Sequence, residues 1–159
     1  EDADFYIHHG FDILGYVRAV RNILRRQGLQ GASTLTQQLA KNALLTSERT
    51  IKRKIKELVL TLQIERRYSK DQILTMYFNE APYGSTAWGV EAASQLFFGK
   101  KAKDLTLSES ALIAGLPQSP TNYSPITNPD VAKKRQQYVL KLILAIHSSD
   151  YRINLIKKH

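Results

Sequence analysis

Between Arg49 and Glu57 the chain crowds Arg49, Lys52, Arg53, Lys54 and Lys56 around a single carboxylate. The stretch reads as part of a helix from about Ser47 to Arg66, so the cations sit near the end where the helix dipole is also positive. Such density repels itself, and a phosphate or pyrophosphate between it and Lys41 would relieve the repulsion. Ordinary surface basicity gives the same composition, as does nucleic-acid binding, although no nucleic-acid motif is present in the sequence. The helix carries two faces. Ile51, Ile55, Leu58 and Leu62 form an apolar stripe expected to pack in the core. Arg49, Arg53, Glu57, Leu60 and Ile64 form a second, charged in its first half and apolar in its second. That face is expected to leave a polar cleft and enter the interior with Glu57 at the boundary. There, desolvation favours the protonated carboxyl and Arg53 one turn away favours the ionised one, a setting in which functional carboxyls occur. The plain alternative is an i,i+4 pair worth a few tenths of a kcal/mol, in the poorer order with Arg preceding Glu.

Two other stretches carry chemistry. The opening "EDADFYIHHG" supplies Glu1, Asp2 and Asp4 around Phe5, then His8 and His9. A carboxyl from this segment facing Glu57 across a cleft would permit general acid or base work on a sugar hydroxyl or glycosidic oxygen. Two adjacent histidines with no third nearby do not make a metal site, and His8 is expected to hold its loop by local hydrogen bonds. In "GASTLTQQLAKN", helical spacing puts Thr34, Gln37, Gln38 and Lys41 on one side and Leu35, Leu39 and Ala43 on the other. Amides donate and accept without charge, which suits sugar hydroxyls, N-acetyl groups and peptide carbonyls, and the lysine adds a point charge for phosphate. A solvated face with glutamines there by chance is the competing reading.

These residues need a helical frame, and the sequence provides one. Alternating apolar and polar runs are scarce, while helical stripes with start and stop signals recur, so the fold is expected to be almost entirely α. Asp12 can cap a helix with the stripe Ile13, Val17, Val20 and Leu24, ending near Gly28. Its arginines suit either an interfacial helix on anionic lipid or a plain surface helix. Thr34 with Gln37, and Ser69 with Gln72, form capping boxes. "WGVEAASQLFFGK" is stopped by Gly99 and "LSESALIAGLP" by Pro117; Asn128 caps a last helix, about 129–146, with Pro129 at its first position. "APYGST" and "PQSPTNYSPITNP" read as loops.

The chain has 159 residues, 43% of them apolar, enough for one domain with an ordinary core. It has no Cys, which excludes disulfides and Cys-based zinc sites. A net charge of +9 points to an anionic partner: nucleic acid, an anionic membrane or a phosphorylated substrate. No apolar run reaches the roughly 20 residues of a membrane span, and no signal peptide opens the chain. With no initiator Met before Glu1, it is expected to be a piece of a longer protein.

Taken in order, these stretches closely resemble the peptidoglycan glycosyltransferase domain (family 51 glycosyltransferases) of class A penicillin-binding proteins and monofunctional transglycosylases. "EDADFYIHHG" stands for the family's E-D-x-x-F-x-x-H-x-G and "GASTLTQQLAKN" for G-G-S-T-x-T-Q-Q-x-x-K-N. "RKIKE", "YFNEAPYGSTAWGVEAASQLFFGK" and "LTLSESALIAGLPQSPTNYSP" continue the match to about Pro125. The resemblance implies a single glycosyltransferase domain over 1–159 with a lysozyme-like all-α fold: a larger helical lobe and a smaller, membrane-associated lobe around a cleft. It implies polymerisation of lipid II into glycan strands with inversion and release of polyprenyl pyrophosphate. A lytic transglycosylase or lysozyme-like glycosidase is the alternative.

By the same resemblance Glu1 is the base that deprotonates the acceptor hydroxyl, and Glu57 is the second catalytic glutamate, near the donor's pyrophosphate. Lys41, Arg49, Arg53 and Lys54 fall near the departing pyrophosphate, Ser33, Gln37, Gln38 and Asn42 in the donor cleft, and Phe5 and His8 in support. No cofactor is obligatory, though the family admits a divalent cation, Mg or Mn, near Glu57. The implied partners are lipid II, the growing strand and the membrane surface, without nucleic acid, and the full-length protein has room for a fused transpeptidase domain. It would be anchored at the extracytoplasmic face of the bacterial cytoplasmic membrane. Ala32 replaces the family's second Gly, Ala3 stands where a basic residue is common, and "EAPYG" is an unusual version of its motif. A chain starting at Glu1 leaves the base beside an α-ammonium with nothing before it to hold it, so weak turnover is expected from that form.

Overall fold

The computed structural model describes residues 2, 4–11, 33–44 and 50–156. These form two compact units, Glu1–Ala81 and Pro82–His159. The described chain is helical apart from one short hairpin, which meets the all-α expectation. The helix expected after Asp12 lies outside the described residues.

In the first unit α1 (Leu35–Leu44), α2 (Ile51–Arg67) and α3 (Lys70–Glu80) pack on one another. Their starts follow from side chains that satisfy the first free backbone N–H groups. Thr34 Oγ1 accepts from Gln37 N–H at 3.3 Å, and Gln37 Oε1 accepts from Thr34 N–H at 3.2 Å, the expected capping box. Thr50 accepts from Arg53 N–H at the head of α2. Ser69 and Gln72 make the second expected box at the head of α3. Leu39, Ala40, Ile64, Ile73, Tyr77 and Phe5 form the apolar core.

The orientation of α2 overturns the expected core stripe. Ile51 is 83% exposed and Ile55 and Leu62 are also exposed, while Glu57, Thr61 and Ile64 face inward. An apolar stripe identifies a face but not what lies opposite it. A polar face is admissible inside when its hydrogen bonds are made. Here they are, since Thr61 Oγ1 donates to the Glu57 carbonyl at 2.7 Å and the Glu57 carboxylate is held by its neighbours. The same correction applies to α1: Leu39 is buried as expected, but Ala43 is exposed and Thr36 and Gln37 are wholly enclosed.

The second unit opens with β1 (Pro82–Gly84) and β2 (Ala87–Trp88), an antiparallel pair with an irregular register between Pro82 and Gly84. "APYGST" is thus half of a hairpin rather than a plain loop. Gly84 has φ +98°, and a Cβ there would lie 2.9 Å from the Pro120 carbonyl oxygen, so only glycine fits. Next come α4 (Val90–Phe98), stopped by left-handed Gly99 as expected, a 3-10 turn at Ala102–Asp104 and α5 (Leu107–Gly115). Thr106 and Glu109 box the start of α5. The last helix, α6 (Pro129–Ile156), starts at the expected proline but continues well beyond 146. It packs on α5, where Arg135 donates to the Gly115 carbonyl and lies between the rings of Tyr123 and Tyr138. No described helix is long and apolar enough to cross a membrane.

Candidate active site

The first turns of α2 build a charge cluster by helical spacing alone. Glu57 is 2% exposed, and its Oε2 accepts from an Arg53 guanidinium nitrogen at 2.8 Å, one turn back. Lys54, three residues back, donates its ammonium to Oε1. The cations reach outward from the buried acid: the Arg53 side chain is 17% exposed and that of Lys54 39%. Glu57 therefore relieves the repulsion that the sequence assigned to a bound phosphate, while Lys52 and Lys56 stand exposed. A guanidinium has five N–H donors and an ammonium three, so fixing one of each on Glu57 leaves others to meet an anion. Held in place beforehand, such donors cost no reorganisation when charge develops on a substrate.

The N-terminal segment is latched to the start of α1. Asp2 Oδ2 accepts from Leu35 N–H at 2.9 Å, and its Oδ1 lies 2.8 Å from His8 Nε2. His8 Nδ1 accepts from Gly10 N–H at 3.1 Å, which puts the ring proton on Nε2, donated to Asp2. Thr34 Oγ1 closes the ring of contacts by donating to the Gly10 carbonyl at 2.9 Å. His8 thus holds its loop as expected, and Phe5 is buried edge-on against it and Tyr6. The Tyr6 hydroxyl donates to Asp71, and that bond raises the phenol above its ordinary range.

The other expected site residues separate into committed and available groups. Gln37 is enclosed and closes the α1 cap, so its amide serves the fold and not an open face. Gln38 is half-buried, reaching the Ser33 carbonyl at 3.5 Å and accepting from the Tyr77 hydroxyl at 3.4 Å. Ser33 and Asn42 are half-buried and Lys41 is exposed. No described hydrogen bond or ion pair joins Lys41 or Asn42 to the Glu57 cluster. Glu1 and Arg49 lie outside the described residues. The structure therefore brings Arg53, Lys54 and Glu57 together, and separately ties Phe5 and His8 to the head of α1 through Asp2 and Thr34.

Sequence reasoning missed four residues. Asp2 caps α1; Thr61 and Glu65 continue the inward face of α2 from Glu57; Lys70 starts α3. Glu65 accepts from Thr36 Oγ1 at 2.5 Å and from the Lys70 ammonium at 2.8 and 2.9 Å. Their signal is Glu57, Thr61 and Glu65 at i, i+4, i+8, which extends the inward-going face expected at Glu57 along a polar rather than an apolar line.

The described helices thus hold two partly exposed cations on a buried acid. Over residues 1–144 the chain matches the Transglycosylase family, and it belongs to that family. It is 48% identical to penicillin-binding protein 1A of Neisseria gonorrhoeae over 91% of its own length and 18% of that protein's. Penicillin-binding protein 1F of Bacillus subtilis is 46% identical over 90% of the chain and 20% of the relative. Penicillin-binding protein 1A of Pseudomonas aeruginosa is 45% identical over 92% and 18%. The chain thus spans about a fifth of the length of the curated relatives it matches.

Proposed function

We propose that the chain is a peptidoglycan glycosyltransferase domain that polymerises lipid II. The observation that carries this is the buried Glu57 carboxylate holding Arg53 and Lys54, both of which stay partly exposed. A sugar pyrophosphate needs fixed cations to receive its departing charge, and those two residues supply them. In the step, the acceptor's 4-hydroxyl oxygen bonds to the donor's anomeric carbon from the face opposite the pyrophosphate. The carbon–oxygen bond to pyrophosphate breaks with its electron pair, and the hydroxyl proton passes to the base, Glu1. The carbon inverts and polyprenyl pyrophosphate leaves. Lys41 and Arg49 add charge for the leaving group, and Ser33, Gln37, Gln38 and Asn42 shape the donor site, directly or, for Gln37, by holding α1.

A divalent cation at Glu57 does not fit these residues. Both carboxylate oxygens already accept from cations, so Mg or Mn would have to displace Lys54 or Arg53. The lysozyme-like alternative is the weaker reading, since it needs a protonated acid to hand a proton to a leaving alkoxide. Glu57 accepts on both oxygens instead. Lengths of relatives five times that of the chain support a fused transpeptidase and a membrane anchor in the full-length protein, acting at the extracytoplasmic face.

The test incubates the full-length protein with labelled lipid II, with and without EDTA, and separately with purified glycan strands. Polymer and polyprenyl pyrophosphate are expected from lipid II, at the same rate with EDTA, and no cleavage of the strands. Strand cleavage without polymer would replace the proposal with a lytic activity.

A further inference from the structure

Glu65 is a second buried acid that the proposed reaction does not use. Its side chain is 6% exposed, and burying a charge is costly unless it is paired and hydrogen-bonded. Its partners come from two other helices: the Thr36 hydroxyl in the first turn of α1, and the Lys70 ammonium at the start of α3. Gly10 lies against it, since a Cβ there would meet Glu65 Cγ at 3.0 Å, and Lys70 also sits 4.6 Å from the centre of the Phe5 ring. Stability alone accounts poorly for this arrangement, because apolar replacements of buried ion pairs are often neutral or stabilising. Direction is what a charged, three-way anchor adds. Glu65 lies eight residues beyond Glu57 on the inward side of α2, about 12 Å along a stiff rod. Fixing it against α1 and the Gly10 loop therefore fixes the register of the Glu57 cluster against the elements that follow Glu1.

We propose that Glu65 is a positioning residue for glycosyl transfer, acting through Thr36 and Lys70 to hold α1 and the Asp2–Gly10 loop in register with Glu57. The inference rests on the polymerase reading above. A displacement of about 1 Å can cost a reaction about 100-fold without weakening binding.

The experiment measures lipid II polymerisation by the full-length wild type and by Glu65→Gln, Thr36→Val, Thr36→Ser and the Thr36→Val/Glu65→Gln double variant. The folded fraction of each is determined by circular dichroism. Glu65→Gln and Thr36→Val are expected to lower kcat per folded molecule at least about 10-fold with KM for lipid II within about threefold. Thr36→Ser, which keeps the hydroxyl, restores kcat to within about twofold, and the double variant is no worse than the poorer single one. A purely structural role would change the folded fraction and leave kcat per folded molecule alone. That result, with an active wild type, overturns the inference and leaves the polymerase reading standing. If Glu65→Gln fails to fold, Thr36→Val, nearly the same size, decides by the same criterion. No polymer from the wild type sinks the polymerase reading itself, and this inference with it.

Discussion

Replacing Glu57 by Gln removes one charge and keeps the shape, so its cost can be worked from the contacts. Two charge-assisted hydrogen bonds end on the carboxylate, and each is worth about 1.5–3 kcal/mol where water is excluded. Arg53 is mostly buried and keeps most of that, whereas Lys54 is more than a third exposed and is screened to about 1 kcal/mol. The glutamine carbonyl retains one neutral bond of about 1 kcal/mol, while its amide presents a donor to a cation. The net loss is about 2 kcal/mol, or about 4–8 °C in Tm for a chain of this size. Activity should fall further than stability. Arg53 and Lys54 lose their anchor, and loss of preorganised donors at a developing charge typically costs about 100- to 1,000-fold in kcat. The assay is polymer formation from labelled lipid II by the full-length protein, run beside thermal denaturation of the 159-residue chain. A variant that polymerises within threefold of wild type, with Tm unchanged, refutes the claim that Glu57 aims the two cations.

Two further outcomes follow from named contacts. Gly10→Ala places a methyl 2.8 Å from Thr61 Cγ2 at a φ of +88°, so strain and overpacking together should cost about 3 kcal/mol, measurable by urea denaturation. Glu109 is held below the usual carboxylate range, at about 2, first by Lys100 and then by the Thr106 backbone and hydroxyl. A depressed folded-state value means the contribution is complete above about 4.5 and is lost as pH falls toward 2. The Tm gap between wild type and Glu109→Gln should therefore be constant above pH 5 and close over that acid window.

Legibility followed locality. Capping boxes at Thr34 and Ser69, the glycine stop at Gly99 and the proline start at Pro129 depend on residues within one turn, and all stand where the sequence places them. The Arg53–Glu57 pair was legible for the same reason. The expected entry of the Glu57 face into the interior holds. What could not be read was that the Ile51 stripe lies outside, because the alternative depends on hydrogen bonds, such as Thr36 to Glu65, that join residues far apart in sequence. Asp2 as the cap of α1 spans 33 positions and leaves no local trace. The hairpin at Pro82–Trp88 was missed because strands this short carry no alternating pattern.

The outward stripe of α2 inverts the usual guide to engineering solubility. Converting Ile51, Ile55 or Val59 to lysine or glutamate trades nothing from the interior, so such changes should be tolerated, whereas making Glu65 more oily strands donors on neighbouring helices. A helix fastened by ionic and hydroxyl contacts rather than by its greasy side leans less on hydrophobic burial, the contribution that weakens on cooling.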